Sequence, residues 1–148
     1  MLSAYNMRSK LENPIYQDVI ETIFGSDVAP GGYAWIVPIG EEMLRVGLGI
    51  RKSRSLPKYY LERLLKERFQ GCRIIRKMAG IMSVDGLMTP SYTDGYMVVG
   101  EAGGQVNPLF GMEYLSCIAC GRIAGKVAVK ALEKNYVSAN QLRGYEKE

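Results

Sequence analysis

Along Tyr33–Val37 the side chains alternate. Tyr33, Trp35 and Val37 fall on one side of an extended chain, and Ala34 and Ile36 on the other. Pro38 can stop the pairing of that strand. The stretch IGEEM turns the chain and LRVGLGI returns it. On the return, Leu44, Val46, Leu48 and Ile50 point one way, and Arg45, Gly47 and Gly49 the other. The two runs predict a β-hairpin. Its glycine side has no side chains to pack, which invites a ring, a chain or a ligand to lie close.

The period then changes. In SLPKYYLERLLKERFQG, Tyr60, Leu61, Leu64, Leu65 and Arg68 recur at helical spacing, with Phe69 beside them. Pro57 suits a first turn and Gly71 a C-terminal cap. Glu62 stands four residues before Lys66, which favours the wet face. The plain reading is a helix covering a sheet. QDVIETIF at 17–24 predicts an exposed strand, CRIIRKMAGIMSV at 72–84 one or two short strands, and YMVVG at 96–100 a short buried strand. From Leu109 to Lys134 a long helix is predicted. Leu115, Ile118, Ala119, Ile123, Val127, Ala131 and Leu132 form its apolar stripe. Gly121, Ala124, Gly125 and Ala128 form a small-residue stripe beside it. Residues 1–14 read as a polar lead-in and the final YEKE as a frayed tail.

The expected fold class is α+β, mainly an antiparallel sheet with a strand–helix piece of an α/β layer. The expected division is residues 1–94 and 95–148. Composition adds little to this: 148 residues, 47% hydrophobic and 23% charged, fit a globular chain. Ten tyrosines against three phenylalanines favour half-wet surfaces. The net charge of +4 permits attraction to acidic headgroups or nucleic acid without establishing either. The dense basic stretch RKSR at 51–54 is a solvated loop or an anion contact. With no histidine and no zinc-finger spacing, nucleic acid is not expected. Cys117 and Cys120 form a CxxC inside a helical run, where two small packed side chains are the plainer reading than redox or metal work. No apolar run is long enough to span a bilayer and no signal-like leader is evident, so a cytoplasmic location, with peripheral membrane contact open, is expected.

The chemistry concentrates in GYMVVGEAGGQVNPLFG, residues 95–111. A strand, a glycine-rich crossing and a helix start together make a site for an anion or a polar ligand. A carboxylate just after the strand can accept hydrogen bonds from sugar-like hydroxyls, as in a nucleotide or a flavin ribityl chain. A tight strand-to-helix turn without a ligand is the alternative. The spelling of this stretch, with GRIAGKVA after it, resembles the second flavin-binding motif of the geranylgeranyl reductase family. APGGYAWIVPIGEEMLRVGLGI resembles that family's Pro-Gly-Gly-Tyr-x-Trp-x-Phe-Pro segment and its following glycine strand.

The resemblance covers roughly residues 17–134. It implies an FAD-dependent reductase of isoprenoid C=C bonds, of the kind used in archaeal-type membrane lipid synthesis. By position it implies that Gly100 and Glu101 contact the ribityl chain of FAD, that Gln105, Asn107 and Pro108 pass beside the ring, and that Gly111, Met112 and Glu113 stand at the helix start facing the flavin. It implies that Tyr33, Trp35, Val37 and Pro38 line a lipid cavity. Glu101 replaces the family's Asp, Val37 its Phe, and Met112 and Glu113 stand where the family is glycine-rich. A carboxylate at Glu113 would oppose an anionic reduced flavin. No catalytic residue is assigned and no metal is expected. The family's first motif, GxGxxG, occurs nowhere in the chain. The chain is therefore expected to correspond to the C-terminal portion of such a reductase, without the N-terminal dinucleotide-binding half. On its own it is expected to bind FAD weakly and to lack activity. Self-association or a complementary FAD-binding chain is the expected partner. Two other readings stand beside this: a non-catalytic subunit, and a binding domain for hydrophobic ligands.

Overall fold

The structure, a computed structural model, describes residues 2–8, 18–40, 43–107, 111 and 113–147. Pro108 and Met112 lie outside the described residues, as do Glu41 and Glu42 of the hairpin turn. The chain divides into two compact units, Met1–Ile81 and Met82–Glu148.

Among the described residues the first unit is one antiparallel sheet with one helix on it. Its strands are β1 (Leu2–Arg8), β2 (Glu21–Phe24), β3 (Tyr33–Pro38), β4 (Met43–Gly49) and β5 (Arg73–Gly80), in the order β2-β3-β4-β1-β5. The alternation read for the hairpin holds. Ala34 and Ile36 of β3 and Leu44, Val46 and Leu48 of β4 are buried, while Tyr33, Trp35 and Val37 are half-buried on the opposite face. Helix α1 (Pro57–Arg68) has Pro57 in its first turn and lays Leu61, Leu64 and Leu65 on the sheet. Each such side chain contributes about 1.5–3 kcal/mol by leaving water. Phe69 caps the same core, and Gly71 follows in the left-handed conformation at φ 73°. Glu62 pairs back to Lys58 at 3.7 Å, where the sequence points to Lys66. Arg68 grips both carboxylate oxygens of Glu21 at 2.6 and 3.0 Å, tying the helix end to the edge strand β2.

One expectation changes here. The supposed lead-in contains β1, which sits between β4 and β5, and its Tyr5 and Met7 are fully buried. Too few strongly apolar residues mark it in sequence, because pairing on both edges holds a central strand. The run at 72–84 forms a single strand, β5.

The second unit begins at Met82, ahead of the expected boundary at 94/95. The reason is bonding: Met88 N–H donates to Gly103 O at 3.0 Å, and Ser91 is held by Glu146. The unit holds a short hairpin, β6 (Tyr92–Thr93) with β7 (Tyr96–Met97), a 3-10 turn at Gly100–Gly103, α2 (Tyr114–Glu133) and α3 (Ala139–Leu142), followed by a second 3-10 turn at Arg143–Glu146. The expected buried strand over 96–100 is thus two residues long, and Tyr96 on it is exposed. It pairs antiparallel with β6. The expected frayed tail is packed: Tyr145 is buried, and Glu146 accepts from Ser91 N–H and Oγ at 2.6 and 2.9 Å. On α2, Ala124, Val127 and Ala131 face the core with Leu142 and Tyr145. Leu115, Ile118 and Leu132 of the predicted apolar stripe are exposed. Among the described residues, no helix is long and apolar enough to cross a membrane.

Candidate functional site

Two groups of residues carry the chemistry, one in each unit. The first is the open face of the sheet. Cross-strand neighbours share a face, so the register places Trp35 between Thr22 and Gly47, and Tyr33 between Phe24 and Gly49. The rings of Phe24, Tyr33 and Trp35 form a row, with centroids 5.7 and 5.8 Å apart and tilted planes. On the β4 side that row meets glycines. An aromatic strip therefore borders a strip without side chains, Gly47 buried and Gly49 half-buried, on the face opposite α1. Val37 lies on the same face further along β3, and Pro38 ends the strand opposite Leu44.

The turn ahead of β3 explains Pro30-Gly31-Gly32. A Cβ on Gly32 would lie 2.1 Å from Gly49 O, and Gly31 sits at φ 68° with the Arg51 carbonyl 2.9 Å from where its Cβ would be. These glycines let the turn press against β4 and aim Tyr33.

The second group is the crossing between β7 and α2. Gly100 takes φ 79° and opens the 3-10 turn, with Glu101 exposed on it. The turn closes at Gly104, φ 68°, where a Cβ would meet Gly86 O at 1.9 Å. Gln105 is buried, and its side chain is committed to the protein. Its Oε1 accepts from Gly100 N–H at 2.7 Å, and its Nε2 donates to the Tyr145 hydroxyl, which donates in turn to Val98 O at 3.0 Å. Its backbone is engaged as well: Gln105 N–H donates to Gly100 O at 3.1 Å. Asn107 is exposed, and its carbonyl accepts from Gly111 N–H at 2.8 Å. Gly111, at φ 61°, sits in that turn rather than beginning the helix; α2 starts at Tyr114, with Glu113 at its N-cap position.

Glu113 caps no backbone N–H with its side chain, and its Oε2 is buried without a hydrogen-bond partner. Cys117, one turn later, is held above the ordinary thiol range, first by burial and then by the Glu113 carboxylate. Its Sγ lies 3.9 Å from Gln105 O and 3.6 Å from the place a Gly100 side chain would start. Ser116 Oγ donates to the same Gln105 carbonyl at 2.6 Å. The crossing thus presents an exposed acceptor at Glu101 and an unmet buried acceptor at Glu113. Both call for hydroxyl or N–H donors. Neither welcomes an anion. Among the described residues no group of side chains suited to a metal ion is present.

The sequence points to Gly100, Glu101 and the aromatic strand. It gives no hint that Gln105 and Tyr145 bond each other across 40 residues, because that pairing depends on how the C-terminal turn packs.

A family model described as the geranylgeranyl reductase catalytic domain matches residues 2–82. The digeranylgeranylglycerophospholipid reductase of Methanocaldococcus jannaschii is 41% identical over 88% of this chain and 34% of its own length. Among solved structures, a geranylgeranyl bacteriochlorophyll reductase-like protein from Thermoplasma acidophilum aligns with 99% of this chain and 37% of its own, with a TM-score of 0.84 and 30% identity. The flavin-dependent brominase Bmp2 shares the fold, with a TM-score of 0.69 and 17% identity over 99% of this chain and 39% of its own. The chain spans about a third of the length of the relatives it matches.

Proposed function

The chain belongs to the geranylgeranyl reductase family, and we propose that it forms the lipid-cavity wall and a flavin-contacting segment of a flavin-dependent reductase of isoprenoid C=C bonds, in membrane lipid synthesis of the archaeal type. The observation that carries this reading is the aromatic row Phe24–Tyr33–Trp35 set against Gly47 and Gly49 on the sheet face opposite α1. A prenyl chain is thin, apolar and extended. Tilted rings beside backbone that carries no side chains offer it apolar contact along its length.

FAD is the cofactor of this reading, and bound flavin supplies the hydride. The crossing fits its donor-bearing side: Glu101 accepts from ribityl hydroxyls, and the unmet Glu113 Oε2 accepts from a hydroxyl or a ring N–H. Gly100, which carries no side chain, allows close approach, and Asn107 is exposed further along the same segment. Pro108, Gly111 and Met112 belong to the same segment by position. Glu113 works against negative charge at the helix start, so the chain's own residues orient the cofactor more readily than they stabilise an anionic ring. No side chain is assigned as proton donor.

A photoreactive geranylgeranyl ether bearing a benzophenone tests the cavity wall. Adducts are expected on the peptides containing Phe24, Tyr33 and Trp35. Labelling confined to α2 overturns the assignment.

A second reading, a subunit that pairs with another copy or with an FAD-binding chain, is favoured by one observation. The first turns of α2 expose Tyr114, Leu115 and Ile118 at 78%, 84% and 70%. Three adjacent apolar side chains this open mark an interaction surface.

A further inference from the structure

The link from β4 to α1 concentrates charge in a way the lipid-cavity reading does not use. Arg51, Lys52, Arg54 and Lys58 fall within eight residues that contain no acid. Their charge equals the net charge of the whole chain, +4, so cations and anions cancel everywhere else. Lys52, Arg54 and Lys58 are exposed. Between and beside them stand two exposed apolar side chains, Leu56 at 63% and Tyr59 at 57%.

The segment is a built turn. Arg51 N–H donates to Pro30 O at 2.9 Å, and Lys52 takes φ 52°. Ser53 Oγ accepts from Ser55 N–H at 3.1 Å and meets the Tyr60 hydroxyl at 3.0 Å. Tyr59 packs edge-on against Tyr60. Leu56 stands at the N-cap position of α1 and Tyr59 in its first turn, and both side chains are exposed there. Among the described residues Glu62 lies 3.7 Å from Lys58, and that exposed pair is weak.

We propose that Arg51–Tyr59 docks the protein on an anionic lipid surface, with Leu56 and Tyr59 entering the headgroup layer between the cations. Cations alone suit nucleic acid equally well. The outward leucine and tyrosine decide for a bilayer, whose interface takes both the apolar side chain and the amphipathic ring. The patch also adjoins the Pro30-Gly31-Gly32 turn that leads into Tyr33. Docking would therefore bring a lipid to the end of the sheet that carries Tyr33. That hand-over rests on the cavity reading; the docking does not.

The test is co-sedimentation of the full chain with vesicles of phosphatidylglycerol and phosphatidylcholine in equal parts, beside vesicles of phosphatidylcholine alone. Binding is expected on the anionic vesicles and is expected to fall with salt. Arg54→Gln with Lys58→Gln is expected to weaken it by about fivefold per cation, about 25-fold together. Leu56→Ser with Tyr59→Ser is expected to weaken it at unchanged charge. All four side chains are exposed, so both variants should keep the parent's circular dichroism and urea midpoint. Equal binding to neutral vesicles, or binding that neither variant alters, overturns the proposal. Duplex DNA binding that survives the Leu56/Tyr59 variant, without vesicle binding, overturns it in favour of nucleic acid. Failure of the benzophenone labelling with intact vesicle binding removes the cavity reading only.

Discussion

Trp35 is half-buried although β3 has a strand on either side. Its neighbours on that face are Thr22 and Gly47, and neither is large enough to cover an indole. Gln105 is the opposite case, a buried polar side chain whose Oε1 and Nε2 each have a protein partner. Removing the Tyr145 hydroxyl would take the acceptor from buried Gln105 Nε2 and the donor from half-buried Val98 O. Tyr145→Phe is therefore expected to cost about 1–3 kcal/mol, read as a lower urea midpoint. An unchanged midpoint would mean that water replaces the hydroxyl and that the clamp on Gly100 is idle. The two residues also differ in legibility. Alternation alone places Tyr33 and Trp35 together on one strand face. The role of Gln105 depends on Tyr145, in a tail whose charged spelling, YEKE, gives no sign of burial.

Local periodicity carries the hairpin β3–β4 and helix α1 in full, because each has its own strong pattern and end signals: Pro38, Pro57 and Gly71. It does not carry β1, which is defined by its neighbours on both sides. Nor does it carry the shortness of β7, where a run of valines continues into a turn that Gly100 redirects. The flavin-type crossing depends on such backbone. Gly104 has both a left-handed φ and the Gly86 carbonyl where a side chain would go. Gly95 has a nearly identical φ of 69° with open space around it. Gly104→Ala is thus expected to destabilise the chain by more than the roughly 1–3 kcal/mol of backbone strain alone, since the loop at Gly86 must also move. Gly95→Asn is expected to be tolerated within about 1 kcal/mol, because asparagine accepts this conformation. Thermal unfolding of both variants checks the contrast. Equal losses would show that φ, and not the close approach of the loop, sets the requirement.

At the scale of the whole molecule, the chain matches about a third of its relatives and yet contains two compact units. The first has a closed core, with α1 over Ile36, Leu44, Val46 and Leu48. The second keeps a small core around Ala124, Val127 and Ala131 and leaves the start of α2 open. The proposed pairing predicts that light scattering will show mass rising with concentration, and that Leu115→Ser with Ile118→Ser will return the protein to a monomer. A monomer at every concentration, with no binding of an apolar dye, would contradict it.

The cavity wall is the central claim, and Trp35 is the one tryptophan in the chain, so its emission reports on that wall alone. The direct measurement is a titration of the unmodified protein with a geranylgeranyl lipid, followed by Trp35 fluorescence. A saturable shift or quench is predicted, together with a loss of stability for Trp35→Ala well below the roughly 3–5 kcal/mol typical of a core aromatic. Emission that never responds to the lipid, with Trp35→Ala unfolding the protein, would contradict the account and return Trp35 to ordinary packing.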